Sequence, residues 1–515
     1  MKNYSIKLLA FVIMSCYAMY PVSSNAVRFT LEPIQELPKN MKGKKYSLLK
    51  YEDGDIIAYE HSSSTFTLVR FDKSFTVKQE FTVKKVPQKI AYIDVNGPQI
   101  DVVMYDEKNN VQLLVFDKNT LSQLKTETLI EQQKYRSLAL KYTNVYVETS
   151  PNGDYIAILA MWDHSKVGLA FNSNHLYLYN KKFEKIANWS LDEDLRYISL
   201  GNNDNAALWQ QYYPNFMVND DGTVVYVALS DYGSNIYSKE YGNGSSLRAH
   251  ILSKDVNEVH DFGLVTEKKH LQAPCILSYD GSKLLLTADI FTYPPAKVNN
   301  NREFVYKLDG YCIIECNLSD NTFMSEVGTY EPSYSSIIET SSWNSTFPNV
   351  SSSVANGILS PVQFGDMGCL FTYDTNNLGL VMMDTKGRDR KTFTIGYSYT
   401  QMNKGPFGAT ASSHIHDLQL PQAIYMESNK TLCTDSKGNV FQWVTTGSVW
   451  KSSWSKEKYE TTISVNEFDM SSRGNASTVI FHQRSKEALS IQSVSLSEGK
   501  FLVLINNCQW GILEL

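Results

Sequence analysis

The sequence predicts an all-β protein, a β-propeller of seven blades with eight as the alternative. The first indication is a turn repeated before short apolar strands, at Asp53-Gly54, Asn152-Gly153, Asp221-Gly222 and Asp280-Gly281. The second is a composition with 32 Tyr, 23 Phe and 8 Trp but only 20% charged residues, which is typical of half-buried pleated sheets. Short strands between recurring glycine turns predict a ring of similar antiparallel sheets.

A repeated hairpin is the third indication. Alternating apolar strands end in an aromatic residue, then Asp or Asn, then Lys, and a second alternating strand follows. This pattern predicts a pair of antiparallel strands joined by a tight turn. The copies are FTLVRFDKSF (66–75), VQLLVFDKNTL (111–121), HLYLYNKKF (175–183) and the degenerate LVMMDTKGRDRKTFTI (380–395).

These units resemble blades of the broad WD40-like and TolB-like propeller group, in which a D-G or N-G turn precedes a strand ending in Tyr-Asp or Phe-Asp. The resemblance covers most of residues 45–330 and returns in 367–515, at TDSKGNVFQW (434–443) and SSRGNASTVIF (471–481). SPNGDYIAIL (150–159) is similar to the S-P-D-G turn of TolB-like repeats. The resemblance implies a ring of blades and the docking of other macromolecules, and it assigns no binding residue.

One propeller domain is predicted for residues 27–515, because a closed ring is the usual all-β architecture of this size. We expect residues 27–37 to pair with the C-terminal strands FLVLINN and WGILEL, which would close the ring and protect its edges. Residues 330–361 and 402–421, rich in Ser, Asn and Pro or in Gly, Ala and Ser, are predicted to be long loops projecting from one face.

The first 26 residues have the pattern of an export signal, in which two lysines precede the apolar run LLAFVIM. Small residues before Val27 predict cleavage after Ala26. The alternative is a bacterial lipoprotein, since IMSC, ending at Cys16, resembles a lipobox. The rest of the sequence contains no run of about 18 apolar residues, so no transmembrane helix is predicted in the mature chain. We therefore expect a protein of the periplasm, the outer membrane or the cell surface.

The charge balance excludes a general nucleic-acid binder. The chain has 48 Lys and Arg against 54 Asp and Glu, a net charge of −6, whereas binding to phosphates needs a basic face. The chain has 7 cysteines, and those after Cys16 lie mostly in apolar strands, which favours buried thiols over disulfides. None has the C-x-x-C spacing of a zinc site.

Aromatic residues are the candidates for ligand binding. Trp209, Tyr212 and Tyr213, with amide side chains between them, are predicted to form a platform of the kind that grips glycans, although a core strand of a blade is the competing interpretation. Trp343 and Phe347 lie in the Ser-rich loop. Loops held by a rigid scaffold are common binding surfaces, so these five residues are the predicted binding residues.

Catalytic and metal sites have weaker support. His414 and His416 place two imidazoles on one face of an extended segment, but no third ligand is identifiable and neither a metal nor a cofactor is expected. The pair Asp220-Asp221 offers two carboxylates, yet Asp is common in turns for conformational reasons. No catalytic residue is therefore predicted, and we lean against an enzyme.

The function that these patterns favour is a protein-binding or scaffold subunit of the cell envelope, whose partner is another envelope or outer-membrane protein. The alternative is a carbohydrate-binding or carbohydrate-active propeller. A carbohydrate-active propeller typically has a deep pocket with paired carboxylates, whereas a protein-binding scaffold typically exposes apolar surface and has no such pocket.

We expect the purified mature protein to begin at Val27 and to carry no lipid, because small residues precede that position as signal peptidase requires. Intact-mass measurement of the protein isolated from its envelope checks this. A diacyl or triacyl glyceryl group on Cys16 would instead show a membrane-anchored lipoprotein.

Overall fold

The computed structural model contains strands and turns and, among the residues that it describes, no helix. None of these residues forms a helix that could cross a membrane. The described residues are 30–31, 35–38, 44–106, 110–132, 134–135, 138–139, 141–163, 172–191, 216–231, 245–264, 270–292, 307–329, 360–363, 369–373, 378–383, 390–395, 421–426, 431–434, 440–450, 458–469, 474–485, 491–497, 499–505 and 508–514.

The first half of the chain forms three four-stranded antiparallel sheets after two short strands. The short strands are β1 (Thr30–Leu31) and β2 (Gln35–Glu36). Sheet 1 contains β3 (Ser47–Glu52), β4 (Asp55–His61), β5 (Thr65–Asp72) and β6 (Val77–Lys84). Sheet 2 contains β7 (Lys89–Asn96), β8 (Gln99–Tyr105), β9 (Val111–Asp117) and β10 (Gln123–Ile130). After the hairpin of β11 (Lys134–Tyr135) and β12 (Leu138–Ala139), sheet 3 contains β13 (Lys141–Thr149), β14 (Tyr155–Asp163), β15 (Asn172–Asn180) and β16 (Lys185–Ser190).

Five more sheets follow in chain order. Sheet 4 contains β17 (Phe216–Val218), β18 (Val224–Asp231), β19 (Ser245–Ser253) and β20 (Val256–Leu264). Sheet 5 contains β21 (His270–Tyr279), β22 (Lys283–Thr292), β23 (Lys307–Asn317) and β24 (Thr322–Thr329). Sheet 6 contains β25 (Ser360–Gln363), β26 (Cys369–Tyr373), β27 (Leu378–Met383) and β28 (Arg390–Ile395). Sheet 7 contains β29 (Pro421–Met426), β30 (Thr431–Thr434), β31 (Val440–Trp450), β32 (Lys458–Asp469) and β33 (Gly474–Ser485). Sheet 8 contains β34 (Ile491–Ser497), β35 (Lys500–Ile505) and β36 (Gln509–Glu514), together with β1 and β2.

The sheets are arranged side by side like propeller blades. In sheets 1 to 6 each strand pairs with the next one along the chain. The first strands of successive sheets contact one another, from β34 through β3, β7, β13, β17 and β21 to β25. Blades of a propeller meet in this way around the central axis.

Each core lies between two sheets, so the middle strands are buried on both faces. On β14 the side chains alternate between two cores, since successive residues of a strand point to opposite faces. Those that pack toward sheet 2 are Ile156, Ile158, Ala160 and Trp162. Those that pack toward sheet 4 are Ala157, Leu159 and Met161. Similar cores join sheet 8 to sheet 1, sheet 1 to sheet 2 and sheet 4 to sheet 5.

Both ends of the chain meet in sheet 8, where β36 pairs with β1 and with β2. In the same sheet, Gln492 on β34 makes two hydrogen bonds through its side-chain amide to the backbone of residues 46 and 48, at the start of sheet 1. Its oxygen accepts from the Leu48 N–H at 2.7 Å, and its nitrogen donates to the Tyr46 carbonyl at 2.8 Å. Segments from opposite ends of the chain therefore hold sheets 1 and 8 together.

The all-β fold class with blade-like sheets is confirmed, and the predicted pairing of N-terminal and C-terminal strands is present. The described residues contain eight sheets of four or five strands each. The number of blades, the closure of the whole ring and the single domain over residues 27–515 stay predictions. The predicted long loops 330–361 and 402–421 lie almost entirely outside the described residues.

The repeated hairpin has an unusual turn in which a large apolar residue adopts the left-handed conformation. Phe75, Leu121 and Phe183 have φ values of 60°, 54° and 60°. Their side chains are buried between sheets 1 and 8, between sheets 1 and 2 and between sheets 2 and 3, respectively. This conformation costs a non-glycine residue roughly 1 kcal/mol or more. Burial of such a side chain contributes about 1.5–3 kcal/mol and offsets that cost.

Two cysteine side chains are described, and both are free thiols, Cys316 and Cys508. Burial raises the pKa of the Cys316 thiol to about 12, so it stays protonated and unreactive at neutral pH. The side chains of the other cysteines after Cys16 lie outside the described residues. The prediction that most of the thiols are free therefore stays a prediction.

We expect Phe75→Ala to lower the free energy of unfolding by about 3–5 kcal/mol, the usual loss for a buried Phe. The ring lies 5.8 Å from that of Phe71 and 5.4 Å from that of Trp510, so its removal opens a cavity between sheets 1 and 8. Urea unfolding followed by circular dichroism measures the loss. The control is Leu124→Ala on β10, where the side chain is 53% exposed and the change should stay within about 0.5 kcal/mol. Equal losses in the two variants would contradict the role given to Phe75.

Candidate functional site

The residues that the sequence predicts to bind a ligand or a metal lie outside the described residues. They are Trp209, Tyr212 and Tyr213 between β16 and β17, Trp343 and Phe347 between β24 and β25, and His414 and His416 between β28 and β29. Each segment connects the last strand of one sheet with the first strand of the next. Their roles stay predictions.

One face of the described sheets is formed by the turns that join first to second strands and third to fourth strands, and we call it the turn face. Direct contacts connect these turns from each sheet to the next. They are the Lys118 Nζ–Glu52 Oε2 ion pair at 2.6 Å, the hydrogen bond from Asn96 Nδ2 to the Lys181 carbonyl at 3.3 Å and that from Asn152 N to Asp220 Oδ1 at 2.8 Å. The turn face of sheets 1 to 4 is therefore fixed by side-chain contacts.

Acidic residues of the turn face accept hydrogen bonds from the backbone of their own turns. Asp72, Asp117 and Asp280 each accept two backbone N–H groups of their own turn, at 2.7 to 2.9 Å. Backbone hydrogen bonds lower the pKa of Asp117 below its usual value. Asp220 and Asp221 also accept backbone N–H groups, from Asn152 and Thr223, so both carboxylates hold turns in place.

A polar cluster with one buried carboxyl group lies on the first two strands of sheet 2. Asp94 on β7 is directly opposite Asp101 on β8. The Tyr92 hydroxyl donates to Asp94 at 3.2 Å, and the Asn96 amide donates to Asp101 at 3.5 Å. Asp101 is only 4% exposed, so this carboxyl group lies where a ligand from solvent does not reach it.

Among the described residues, two carboxyl groups have a pKa raised toward neutral pH. Burial raises the pKa of Asp101 to about 6, and the nearby Asp94 acts in the same direction while the Asn96 hydrogen bond opposes it. Burial also raises the pKa of Glu148 on β13 to about 7. Within the described part of the chain, no group of three or more His, Cys, Asp or Glu residues is arranged to hold a metal ion.

The outer strands of the sheets differ in charge. β6, β10, β16, β28 and β33 each contain Lys or Arg, and basic residues are a common protection of exposed sheet edges. β20 (VNEVHDFGL) and β24 (TFMSEVGT) contain no Lys, Arg or Pro. These strands end the adjacent sheets 4 and 5, and no described strand pairs with their outer edges. We call them the unprotected rim.

The unprotected rim presents apolar side chains to solvent. Val256 and Val259 on β20 are each 46% exposed, and Met324 on β24 is 67% exposed. From Val256 to Val259 every residue of β20 is exposed. The corresponding strand β6 alternates between half-buried and exposed residues. Four consecutive exposed residues therefore distinguish β20 from β6.

Polar contacts hold β20 in place. His260 Nδ1 lies 2.7 Å from Asn321 Oδ1 in the turn before β24, which connects the two strands of the unprotected rim. Arg248 on β19 donates to both carboxylate oxygens of Asp261, at 2.6 and 2.8 Å. The Arg248 guanidinium lowers the pKa of Asp261. The edge is therefore positioned before any partner binds.

Neither the unprotected rim nor Asp101 was predicted from the sequence, although the chain carries a signal for each. In QIDVVMY, the strand β8, an Asp lies between Ile100 and a run of apolar residues, and such a residue is often buried with them. For the rim, the signal is a comparison of the fourth strands of the repeats. VKQEFTVK in sheet 1 has two Lys, whereas VNEVHDFGL in sheet 4 has none.

No family model matches the chain, and no curated protein matches it. Among solved structures, it is similar to a variant of the Synechocystis apocarotenoid oxygenase, with 7% identity, a TM-score of 0.37 and coverage of 89% of this chain and 93% of that one. It is also similar to dihydro-heme d1 dehydrogenase NirN, with 10% identity, a TM-score of 0.36 and coverage of 91% and 78%. The Dos1 propeller has 10% identity, a TM-score of 0.33 and coverage of 92% and 78%. Similarities of this size assign no activity, ligand or partner to this chain.

We expect Asp101→Asn to stabilise the protein above pH 6 and to leave its stability nearly unchanged at pH 4. The folded-state pKa of about 6 exceeds the ordinary value of 3.8, so the folded state keeps a proton that the unfolded state releases between these values. Stability therefore falls as pH rises through this window and stays low above it. Denaturant unfolding of both proteins from pH 4 to 8 measures the difference.

The control for this experiment is Asp117→Asn. Because the pKa of Asp117 is lowered below 3.8 in the folded state, Asp117 titrates below the range of the experiment, and the difference between wild type and this variant should stay nearly constant from pH 4 to 8. A difference between wild type and Asp101→Asn that does not change with pH would show that Asp101 has no raised pKa.

Proposed function

We propose that this chain is an exported propeller that binds another protein of the bacterial cell envelope through the unprotected rim. The observation that carries the proposal is β20, a described strand edge with Val256 and Val259 exposed and no Lys or Arg along it. Exposed edges with apolar side chains pair readily with other chains, and native proteins use such edges to bind extended segments.

The cores on both sides of sheet 4 support this role. Sheet 4 packs against sheet 3 and against sheet 5 through buried apolar clusters. A rigid support lowers the entropic cost of binding, because the surface does not have to become ordered when the partner arrives. The proposed export is supported by the sequence pattern of residues 1–26.

A glycan-binding or glycan-cleaving propeller is the alternative. A glycosidase needs two accessible carboxyl groups on either side of the scissile bond. Asp94 and Asp101 face each other on neighbouring strands, but Asp101 is buried. Asp55 faces Asp72, but Asp55 is ion-paired with Lys78 and Asp72 accepts backbone N–H groups of its own turn. The described carboxyl groups therefore favour protein binding, and the alternative depends on the aromatic residues near Trp209 and Trp343.

A photo-reactive amino acid at Val259 or Met324 tests the proposal in the full chain, expressed in its own cell envelope. We expect a covalent adduct with one envelope protein from both positions, because both side chains are exposed on the unprotected rim. The matched control is the same amino acid at Leu124, which is 53% exposed on a strand that carries Lys125. Denaturing gels and mass spectrometry identify the adducts.

Adducts of equal yield from Val259, Met324 and Leu124 would show nonspecific contact and contradict the role of the rim. An absence of adducts at both rim positions would end the proposal. Cleavage of a glycan by the purified chain, abolished by one Asp or Glu substitution, would favour the alternative.

A further inference from the structure

We infer that the partner supplies an extended basic segment that adds to the edge of β20 as a further strand of sheet 4. This inference rests on the proposed function and specifies how the unprotected rim binds. It concerns the backbone edge of β20 together with the side chains beside that edge.

The backbone of β20 is suited to strand addition. The strand has 9 residues and pairs with β19 from Val256 opposite Ser253 to Leu264 opposite Ser246, with one β-bulge at Gly263. In the described part of the chain its other edge has no strand partner. Alternate N–H and C=O groups of an edge strand point away from the sheet, so an added strand would find a row of donors and acceptors.

The side chains of β20 define what the added strand contains. Val256 and Glu258 lie on one face of the sheet, and Val259 and Asp261 lie on the other, since successive residues alternate. An added strand places its own side chains beside these at short range. Apolar residues next to the two valines would bury surface that is now exposed.

Charge selects a basic partner. The side chains of Glu258 and Asp261 are each 63% exposed. Asp261 is already held by both donors of Arg248, whereas Glu258 has His260 Nε2 at 3.7 Å as its ion-pair neighbour. Opposite charges on neighbouring strands stabilise a sheet, so a Lys or Arg next to Glu258 would contribute to binding.

The same charges disfavour pairing between two copies of this chain. When two β20 strands pair antiparallel about a twofold axis, a register that places Glu258 opposite Glu258 or Asp261 opposite Asp261 brings like charges together. Like charges on neighbouring strands are destabilising. No Lys or Arg on β20 compensates for them. The edge therefore fits a basic segment of a different protein better than a second copy.

The probe for this inference is a synthetic nine-residue peptide of alternating Val and Thr with two Lys, matched to the 9 residues of β20. A second peptide has the same side chains but is N-methylated at alternate residues, which removes the backbone donors along one edge. We expect methylation to weaken binding to the full chain at least about tenfold. Hydrogen exchange of residues 256–264 should slow with the first peptide alone.

Two variants locate the binding. Val259→Lys places a basic residue on the edge and should weaken binding of the first peptide at least about tenfold, through charge repulsion and lost apolar contact. Leu124→Lys makes the same change at a similarly exposed position on β10 and should leave binding unchanged. Both residues are exposed, so both variants should fold.

Several results would overturn strand addition. They are equal binding of the two peptides, no binding of the first peptide, or unchanged exchange of residues 256–264. If adducts at Val259 in the envelope persist with any of these results, the proposed function stands and the partner docks through side chains. Slower exchange of β20 on raising the concentration of the protein alone would assign the edge to a second copy.

Discussion

Burial of the same strand on both of its faces is the constraint on which the rest of this structure depends. On β14, for example, Ile158 lies in one core and Leu159 in the next. A middle strand of this kind has no solvent-exposed face, so it cannot shift its pairing register without moving polar or mismatched side chains into a core. A shift by one residue would exchange the two sets of side chains. Each sheet therefore fixes its neighbours, and the surface left for function consists of turns and outer edges.

The two remaining surfaces are built differently. On the turn face, Asp and Asn side chains are used by the backbone of the turns, and apolar residues such as Phe183 extend the cores to the outer hairpins. On the rim, the outer strands have one unpaired edge each in the described sheets. Basic residues protect most of these edges, which makes the acidic and apolar strand β20 an exception rather than a general property of the fold.

Much of the fold was predictable because its signals are local. Gly54, Gly153, Gly222 and Gly281 have φ values of 83°, 73°, 83° and 92°, a conformation that favours glycine and that a turn before an apolar strand indicates. The candidate site was harder, since exposure depends on which strand is outermost. The strand pattern QIDVVMY indicates that Asp101 is buried, but it does not show that Asp94 lies directly opposite and also raises the pKa of Asp101.

The hydrogen bonds of Gln492 have a consequence for synthesis of the chain. They join this residue to Tyr46 and Leu48 across 446 and 444 positions of sequence. During translation, sheet 1 emerges long before β34 to β36, and its face toward sheet 8, with Phe71 and Phe75, has no cover until the last strands appear. Contacts of such long range slow folding, and exposed apolar faces of nascent chains invite aggregation. Binding of a chaperone to the newly made protein should therefore be strongest at sheet 1 and should end only when the C-terminal strands are complete.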